Sequence, residues 1–282
     1  MSSKARLESS FLLSKNTARL FFISLFSFLW RWGMPTLNIF GLTRLLKSEF
    51  FSFLLNTYND ALIITLLILL YSVILFFSLM NCSAVRLGEQ FIYFTRAQGS
   101  RGRLGLLFKY LHPKKAIRAF SLYLRLNSLK LFWFIYFLLP FSICTGCTAY
   151  LYTMPSLPQS VYIVLATGSG LLLSLSIVMW RISTLRFSAA PYYFCLNPRM
   201  TVTEAIKKSI RFTDGHLADG AILEYSFLGW ILSCAFIAPL FYVVPYFKLC
   251  KCVYIINAVS SVIEAKKPSY AVKFIKSSEH IN

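Results

Sequence analysis

Three long stretches of this sequence contain no charged side chain. They occupy residues 61–80, 131–150 and 161–180. A helix of about 20 apolar residues crosses the ~30 Å hydrocarbon core of a bilayer, and a helix satisfies its own backbone hydrogen bonds there. We therefore predict a transmembrane helix at each of the three positions.

The composition points to the same class of protein. Of the 282 residues, 57% are hydrophobic and 14% are charged, whereas soluble domains average about 25% charged residues. A soluble domain of this length could not bury so much apolar surface. The composition argues against soluble enzymes, disordered tails and secreted disulfide scaffolds. It predicts an all-α polytopic transmembrane helical bundle that forms a single integral membrane domain over residues 1–282.

Two further windows near the C-terminus are apolar but contain charged residues. Residues 221–238 include Glu224, and residues 240–262 include Lys248 and Lys251. Because an ionisable side chain inside a membrane helix is costly, these windows are weaker signals than the first three. We interpret them as the fifth and sixth spans.

A sixth window, residues 20–40, is rich in aromatic residues but contains Arg31 between Trp30 and Trp32. An arginine at the centre of a spanning helix costs about 2.5–3.5 kcal/mol on insertion scales. The window either crosses the membrane as an uncleaved first span or lies in the interface, with its tryptophans at headgroup depth. No small-residue cleavage site follows it, which argues against a signal peptide.

The lysines and arginines predict which side each connection faces. Residues 81–128 hold nine of them and residues 181–220 hold six, whereas residues 151–160 hold none. Cytoplasmic loops collect positive charge. We therefore predict a multi-pass cell-membrane protein with about six spans and both termini in the cytoplasm, because this topology places every basic connection on the cytoplasmic side. The predicted cytoplasmic segments are a basic loop at residues 83–128, a second loop at residues 197–220 and a basic tail at residues 263–282.

A single crossing over residues 222–247 is the alternative and would give five spans. The tail would then face outside with its four lysines, Lys266, Lys267, Lys273 and Lys276, against the usual charge bias. Since topology explains most of the net charge of +19, we expect no nucleic-acid partner.

Both basic loops contain segments that predict amphipathic helices. In the second loop, Thr201 and Glu204 form a capping box ahead of a helix over residues 202–212, with apolar residues on one side and basic residues elsewhere. In the first loop, Pro113 can start a helix with an apolar stripe flanked by basic residues. These helices either bind anionic lipid headgroups, at about 1 kcal/mol per basic residue, or simply anchor the spans.

The sequence contains no set of residues typical of catalysis, cofactor binding or metal binding. Cys144 and Cys147 have thioredoxin-like spacing but lack the surrounding βαβ pattern. Cys250 and Cys252 lack a matching second pair, and the three histidines are scattered. We therefore predict no catalytic residue, no cofactor and no metal.

The best candidates for functional ionisable residues are Glu224, Lys248 and Lys251. Glu224 either has a role inside the membrane or pairs with a lysine or arginine at the cytoplasmic edge. Lys248 and Lys251 lie three residues apart on one helical face. They either extend to the interface or line a cavity that attracts anions.

Several motifs follow one another between residues 185 and 254. In order they are Ala190-Pro191-Tyr192-Tyr193, Asn197-Pro198, Glu204-Ala205-Ile206 with Ser209, Asp214-Gly215, Ser226-Phe227-Leu228-Gly229-Trp230, Pro245-Tyr246 and Tyr254. With these motifs, the second half of the chain resembles the bacterial integral membrane proteins of the domain-of-unknown-function 975 family. The chain departs from the pattern of that family in the long basic loop before residue 131 and in Lys248 and Lys251. The resemblance implies a multi-spanning bacterial membrane protein, and it implies no activity.

Three classes of function fit these features. A transport-related protein is favoured by Glu224 and by prolines that kink membrane helices. A non-catalytic membrane scaffold or accessory subunit is favoured by the lack of polar groups deep in the spans. A lipid-modifying membrane enzyme is disfavoured because no catalytic set is present. The expected partners are membrane lipids, in particular anionic headgroups at the cytoplasmic face, while any protein partner and the oligomeric state stay open.

Overall fold

The structure is a computed structural model. It describes residues 8–10, 17–48, 60–100, 103–152, 158–197, 199–233 and 237–264. Within these ranges the chain is helical and contains no strand, which confirms the predicted all-α class. The predictions for the basic residues near the N-terminus and for the tail after residue 264 fall largely outside the described residues.

The chain forms two long hairpins, a group of short helices and a final long helix. In chain order the helices are α1 (Thr17–Leu46), α2 (Asp60–Ala97), α3 (Pro113–Tyr152), α4 (Gln159–Leu185), α5 (Ala190–Leu196), α6 (Val202–Asp214), α7 (Leu217–Ser226), α8 (Leu228–Ser233) and α9 (Ile237–Glu264), with a 3₁₀ helix at Leu104–Phe108. Helices α1 and α2 pack together as the first hairpin, and α3 and α4 pack together as the second.

Four helical segments are long and apolar enough to cross a membrane. They are Ala18–Arg44, Ile64–Ala97, Pro113–Tyr152 and Ser160–Leu196, the last of which continues from α4 into α5. Helices α2, α3 and α4 contain the three uncharged windows. The aromatic-rich window at residues 20–40 is one continuous helix through Arg31. Four helices of this length and composition are compatible with a multi-pass membrane protein.

The two hairpins are packed differently along their length. In residues 64–77 of α2 and 131–152 of α3, most of the large apolar side chains are exposed. The opposite halves, next to the connections at residues 98–112 and 186–201, hold most of the buried side chains of these helices. We name the exposed halves the apolar end and the packed halves the basic end.

The basic end contains the hydrophobic core. Ala84 of α2 packs with Ala119 and Leu122 of α3 in one buried cluster, and a second cluster joins α1, α2 and α9. Gly88 of α2 lies so close to the 3₁₀ helix that a Cβ atom there would overlap the carbonyl of Leu107. A glycine at this position therefore permits the connection between the hairpins to pack directly on α2.

Most of the predicted basic loop at residues 83–128 is helical. Helix α2 continues to Ala97, and α3 begins at Pro113 as predicted. In the second loop, the side chain of Thr201 accepts a hydrogen bond from the Glu204 N–H at 3.3 Å, and the Glu204 carboxylate accepts one from the Thr201 N–H at 3.0 Å. These two bonds confirm the predicted capping box at the start of α6.

The two C-terminal windows form a third, shorter hairpin. The window at residues 221–238 is not a single helix, because α7 and α8 are separated at Phe227, whose backbone N–H bonds the Glu224 carbonyl at 3.1 Å. Helix α8 packs against α9. The chain therefore does not form one continuous helix over residues 222–247.

Candidate functional site

Charged side chains of the basic end converge on one cavity of about 200 Å³, which we name the basic cavity. Its charged lining consists of Arg31 from α1, Arg86 and Glu89 from α2, Lys130 from α3, Arg181 from α4, Glu224 from α7, and Lys248 and Lys251 from α9. Six helices thus each contribute one or two charges. The six cations exceed the two carboxylates by four formal charges.

The positions of Lys130 and Arg181 place the cavity where the apolar windows end. Lys130 directly precedes the window at residues 131–150, and Arg181 directly follows the window at residues 161–180. The indole N–H of Trp180 donates a hydrogen bond to the Lys130 carbonyl at 3.0 Å, so the two helices meet at the same level. The cavity therefore lies at the boundary between the apolar end and the basic end.

Glu89 is the more enclosed of the two carboxylates. Its side chain is 3% exposed and accepts hydrogen bonds from the hydroxyls of Ser24 at 3.1 Å and Ser27 at 2.8 Å. The Lys248 ammonium donates to the same carboxylate, and the Arg31 guanidinium lies 3.6 Å from it. These partners compensate the cost of burying the charge and connect α1, α2 and α9.

Glu224 has a similar pair of cations but fewer partners. The Lys251 ammonium donates to Oε1 at 2.6 Å, and a guanidinium nitrogen of Arg181 lies 3.1 Å from Oε2. That approach is close enough for an ion pair but lacks hydrogen-bond geometry, so Oε2 has no hydrogen-bond partner within the described residues. The Arg181 side chain is 51% exposed, which places it at the mouth of the cavity.

Arg86 and Lys130 supply two of the four excess positive charges. Neither forms an ion pair in the part of the chain that the structure describes. The Arg86 guanidinium lies 4.6 Å from the centre of the Tyr123 ring, and the Tyr123 hydroxyl donates to the side chain of Gln90 at 2.6 Å. Arg86 is therefore held in position by a ring that is itself oriented by a hydrogen bond.

The structure brings together five of the nine residues singled out from the sequence. Those that line the basic cavity are Pro191, Tyr192, Glu224, Lys248 and Lys251. Those that do not are Gly229, Trp230, Pro245 and Tyr246. On α8, Gly229 and Trp230 are exposed. On α9, Pro245 is buried, and Tyr246 packs its ring against Phe227.

These contacts give the partners of the charged residues that the sequence singled out. Glu224 pairs with Lys251 and Arg181, as the edge-pairing hypothesis expected, and it does so in the wall of a cavity. Lys248 and Lys251 line that cavity, with side chains 29% and 22% exposed. Both lysines therefore line a cavity, as one of the two hypotheses expected, and their extension to the interface stays a prediction.

Sequence reasoning missed Glu89, Arg86 and Lys130. Arg86 was counted among the charges of a cytoplasmic loop, whereas it lies within α2. A signal for Glu89 was present, because it is the sole acidic residue between positions 61 and 203. Arg86 and Glu89 are also three residues apart, which places them on neighbouring positions of one helix face.

The arrangement is suited to recognising negative charge. Both carboxylates are engaged by cations, so neither is set up as a general acid or base. In the described part of the chain, no group of three or more His, Cys, Asp or Glu residues could hold a metal ion. Arginine and lysine side chains bind phosphate and carboxylate groups through charge-assisted hydrogen bonds, and five helices present at least one of them within the same cavity.

Comparison with known proteins found no matching family model, no similar curated protein and no similar solved structure. The resemblance to the domain-of-unknown-function 975 family stays a prediction.

Proposed function

We propose that this chain is a multi-pass protein of the cell membrane that binds an anion in the basic cavity as the recognition step of transport. The observation that carries the proposal is the excess of cations over carboxylates, to which Arg86 and Lys130 contribute without ion-pair partners among the described residues. Clefts lined by charges of one sign concentrate ions of the opposite sign.

The proposed topology has both termini in the cytoplasm and the basic end on the cytoplasmic side, since basic connections face inward. From Lys130 to Tyr152 at the end of α3 there are 22 residues, or about 33 Å, which is enough for a core of ~30 Å. From Lys251 back to Ile237 at the start of α9 there are 14 residues, or about 21 Å. The second hairpin therefore crosses fully, and the third enters from the cytoplasm and returns. We assign the first hairpin as a crossing pair because Ala18–Arg44 and Ile64–Ala97 are each long and apolar enough to span a membrane.

The topology of six full spans differs from this one only in the depth of the third hairpin. Both arrangements return the chain to the cytoplasmic side, so both keep the tail inside. In a variant whose native cysteines are replaced by serine, Ser233→Cys tests the depth and Ser278→Cys tests the tail. External labelling of the first would favour six spans, and external labelling of the second would overturn the cytoplasmic C-terminus.

The proposal assigns α6 to the cytoplasmic face as an amphipathic helix. Ala205, Ile206 and Ser209 are buried against the bundle, whereas Lys207 and Lys208 are exposed. Exposed lysines at the surface of an anionic leaflet are attracted to its headgroups. The proposed partners at this face are therefore anionic membrane lipids, and the family resemblance of residues 185–254 agrees with a membrane protein without adding an activity.

A scaffold or accessory subunit is the second candidate. It is favoured by the exposed apolar side chains of the second hairpin, among them Leu131, Ile135 and Leu139, which a partner protein could cover. A scaffold needs no ligand, so ligand binding separates the two candidates. A lipid-modifying enzyme is less well supported, because both carboxylates of the cavity are held in ion pairs.

The test uses the purified full chain in detergent. The melting temperature, followed by intrinsic tryptophan fluorescence, is measured with inorganic phosphate, glycerol phosphate and dihexanoyl phosphatidic acid. We expect at least one of these anions to raise it, because a ligand that binds the folded state stabilises that state. The double variant Arg86→Gln/Lys130→Gln should lose the response.

The matched control is Lys114→Gln/Lys115→Gln, which removes the same charge from the exposed first turn of α3. It should respond as the wild type does. If no anion raises the melting temperature, or if the two double variants respond alike, anion binding in the cavity is wrong. Flux of the stabilising anion into proteoliposomes then tests the transport step.

A further inference from the structure

The basic cavity lies next to two helix surfaces whose large apolar side chains are mostly exposed in the described structure, although single rings such as Phe76 of α2 and Phe120 of α3 contact each other between the hairpins. At the basic end, the hairpins pack on each other through α2 and α3. Toward the apolar end, residues 64–77 of α2 and 131–152 of α3 expose most of their large side chains. A molecule bound in the cavity could therefore extend along either hairpin without leaving an apolar environment.

We infer that the anion is the phosphate of a membrane lipid, with a phosphomonoester headgroup in the basic cavity and acyl chains along the exposed apolar faces of the hairpins. The inference rests on the proposed function, because it names the ligand of the same site. The occupant must combine negative charge with an apolar tail, since the charged cavity and the apolar faces lie next to each other.

The charge of the cavity matches a phosphomonoester. Four of the six cations already lie within 4 Å of a carboxylate, which leaves Arg86 and Lys130. A phosphate monoester carries about −1.5 to −2 charges at pH 7, so it can balance these two side chains without displacing either glutamate and lowers the excess of four positive charges to about two. A phosphodiester headgroup carries a single negative charge and would lower the excess only to three.

The size and height of the cavity also suit a lipid headgroup. Its volume of about 200 Å³ is below the roughly 300–1,000 Å³ of pockets that enclose drug-sized ligands, so it fits a phosphate and its linker better than a nucleotide. Lys130 and Arg181 border the uncharged windows, and this boundary is where lipid headgroups lie when the windows occupy the hydrocarbon core.

Arg181 is the cation at the mouth of the basic cavity. It is 51% exposed, and it approaches Glu224 without a hydrogen bond in the described structure. An arginine with this freedom can reorient toward a headgroup that enters between the hairpins, whereas the ring of Tyr123 holds Arg86 in the interior. The cavity thus combines a fixed cation with one at its mouth.

The experiment measures lipid binding to the delipidated full chain in detergent by native mass spectrometry. Three dioleoyl lipids with identical tails are titrated: phosphatidic acid, phosphatidylglycerol and phosphatidylcholine. We expect one molecule of phosphatidic acid to bind most tightly. Arg86→Gln/Lys130→Gln should weaken that binding about thirtyfold, as two basic residues near an anionic lipid would contribute. Lys114→Gln/Lys115→Gln should bind phosphatidic acid like the wild type.

A second variant guards against a misfolded protein. Lys130→Arg keeps the charge and should retain binding of phosphatidic acid, while the double glutamine variant should keep the weak phosphatidylcholine binding of the wild type. If phosphatidic acid and phosphatidylcholine bind equally to the wild type, the headgroup does not occupy the cavity and the inference is wrong.

Dihexanoyl phosphatidic acid and inorganic phosphate separate a lipid ligand from a free anion. Both should bind more weakly than the dioleoyl lipid, because each buried methylene contributes about 0.8 kcal/mol, or roughly a factor of four. If inorganic phosphate binds as tightly as the dioleoyl lipid, anion binding stands and the lipid inference fails. If none of these phosphates binds, the inference and the proposed function fail together.

Discussion

Glu89 and Glu224 are held by similar partners in different surroundings. Each carboxylate is paired with one lysine of α9 and one arginine of a long helix, namely Lys248 with Arg31 and Lys251 with Arg181. Glu89 also accepts hydrogen bonds from two serine hydroxyls, whereas one oxygen of Glu224 has no hydrogen-bond partner in the described structure. The arginine beside Glu89 is 27% exposed, and the one beside Glu224 is 51% exposed.

The difference indicates that Glu89 has a structural role, whereas Glu224 can exchange its arginine partner for a ligand. Glu89 connects α9 to the first hairpin through bonds that leave little room for a competitor. Glu224 connects α9 to the second hairpin at the mouth of the cavity, where Arg181 can also contact a ligand. We infer that Glu89 mainly stabilises the fold, and that Glu224 sets how strongly the cavity attracts an anion.

The largest effect is expected for Glu89→Gln. The change leaves Lys248 and Arg31 without a carboxylate in a buried site, and breaking a buried ion pair costs about 3–5 kcal/mol. The free energy of unfolding in a denaturant titration should fall by about this amount. Glu204→Gln is the control, because that carboxylate is exposed and glutamine preserves a capping box. Equal losses in the two variants would remove the structural role of Glu89.

Ser27→Ala sharpens the comparison at the level of one hydrogen bond. The Ser27 hydroxyl donates to Glu89 at 2.8 Å, and a hydrogen bond to a charged group contributes about 1.5–3 kcal/mol. The same unfolding measurement should show a loss in this range. Ser72→Ala is the matched change on α2, where the hydroxyl bonds the Ile68 carbonyl at an exposed position. If Ser72→Ala lowered the free energy of unfolding as much as Ser27→Ala, the hydrogen bond to the Glu89 carboxylate would not explain the loss at Ser27.

Gly88→Ala tests whether the enclosure of Glu89 depends on the adjacent connection. A Cβ atom at position 88 would overlap the backbone of Leu107, so the 3₁₀ helix must move away from α2. We expect a loss of about 1–3 kcal/mol, typical of overpacking. Gly146→Ala in α3 meets no atom within 4 Å and should lose nothing, since alanine favours a helix over glycine. Unchanged stability at position 88 would contradict the close packing.

The smallest change in stability is expected for Glu224→Gln. Arg181 is half exposed, so its pair with Glu224 resembles a surface ion pair, worth about 0–1 kcal/mol. The Lys251 pair is more enclosed, so we expect a loss at the upper end of this range. The affinity for dioleoyl phosphatidic acid should instead rise about fivefold, as removal of one competing charge implies. Titration of the lipid and thermal melting on the same sample measure both quantities. A loss of stability equal to that of Glu89→Gln would erase the distinction between the two carboxylates.

Features that depend on neighbouring residues were predictable from the sequence. The uncharged windows, the start of α3 at Pro113 and the capping box of Thr201 and Glu204 appear in the structure as expected. Each is decided within one helix, because apolar length, a missing N–H or a side chain three residues away is sufficient. The depth of the third hairpin was not predictable, because it depends on the level at which Glu224 meets Lys251.

The cavity shows the limit of such local signals. Lys248 was recognised as a residue that could line a cavity, but its partner Glu89 lies 159 residues away in the sequence. Neither segment contains a sequence signal that α2 and α9 are in contact, or that predicts the level and the rotation at which they pack.

The sequence by itself determined that the chain forms long apolar helices and that its cations gather at one end of them, since both follow from composition along each segment. Only the tertiary structure decided which cations receive a carboxylate and which do not. An ion pair between helices requires several distant segments to present their charges at the same level, and packing of the whole basic end sets that level.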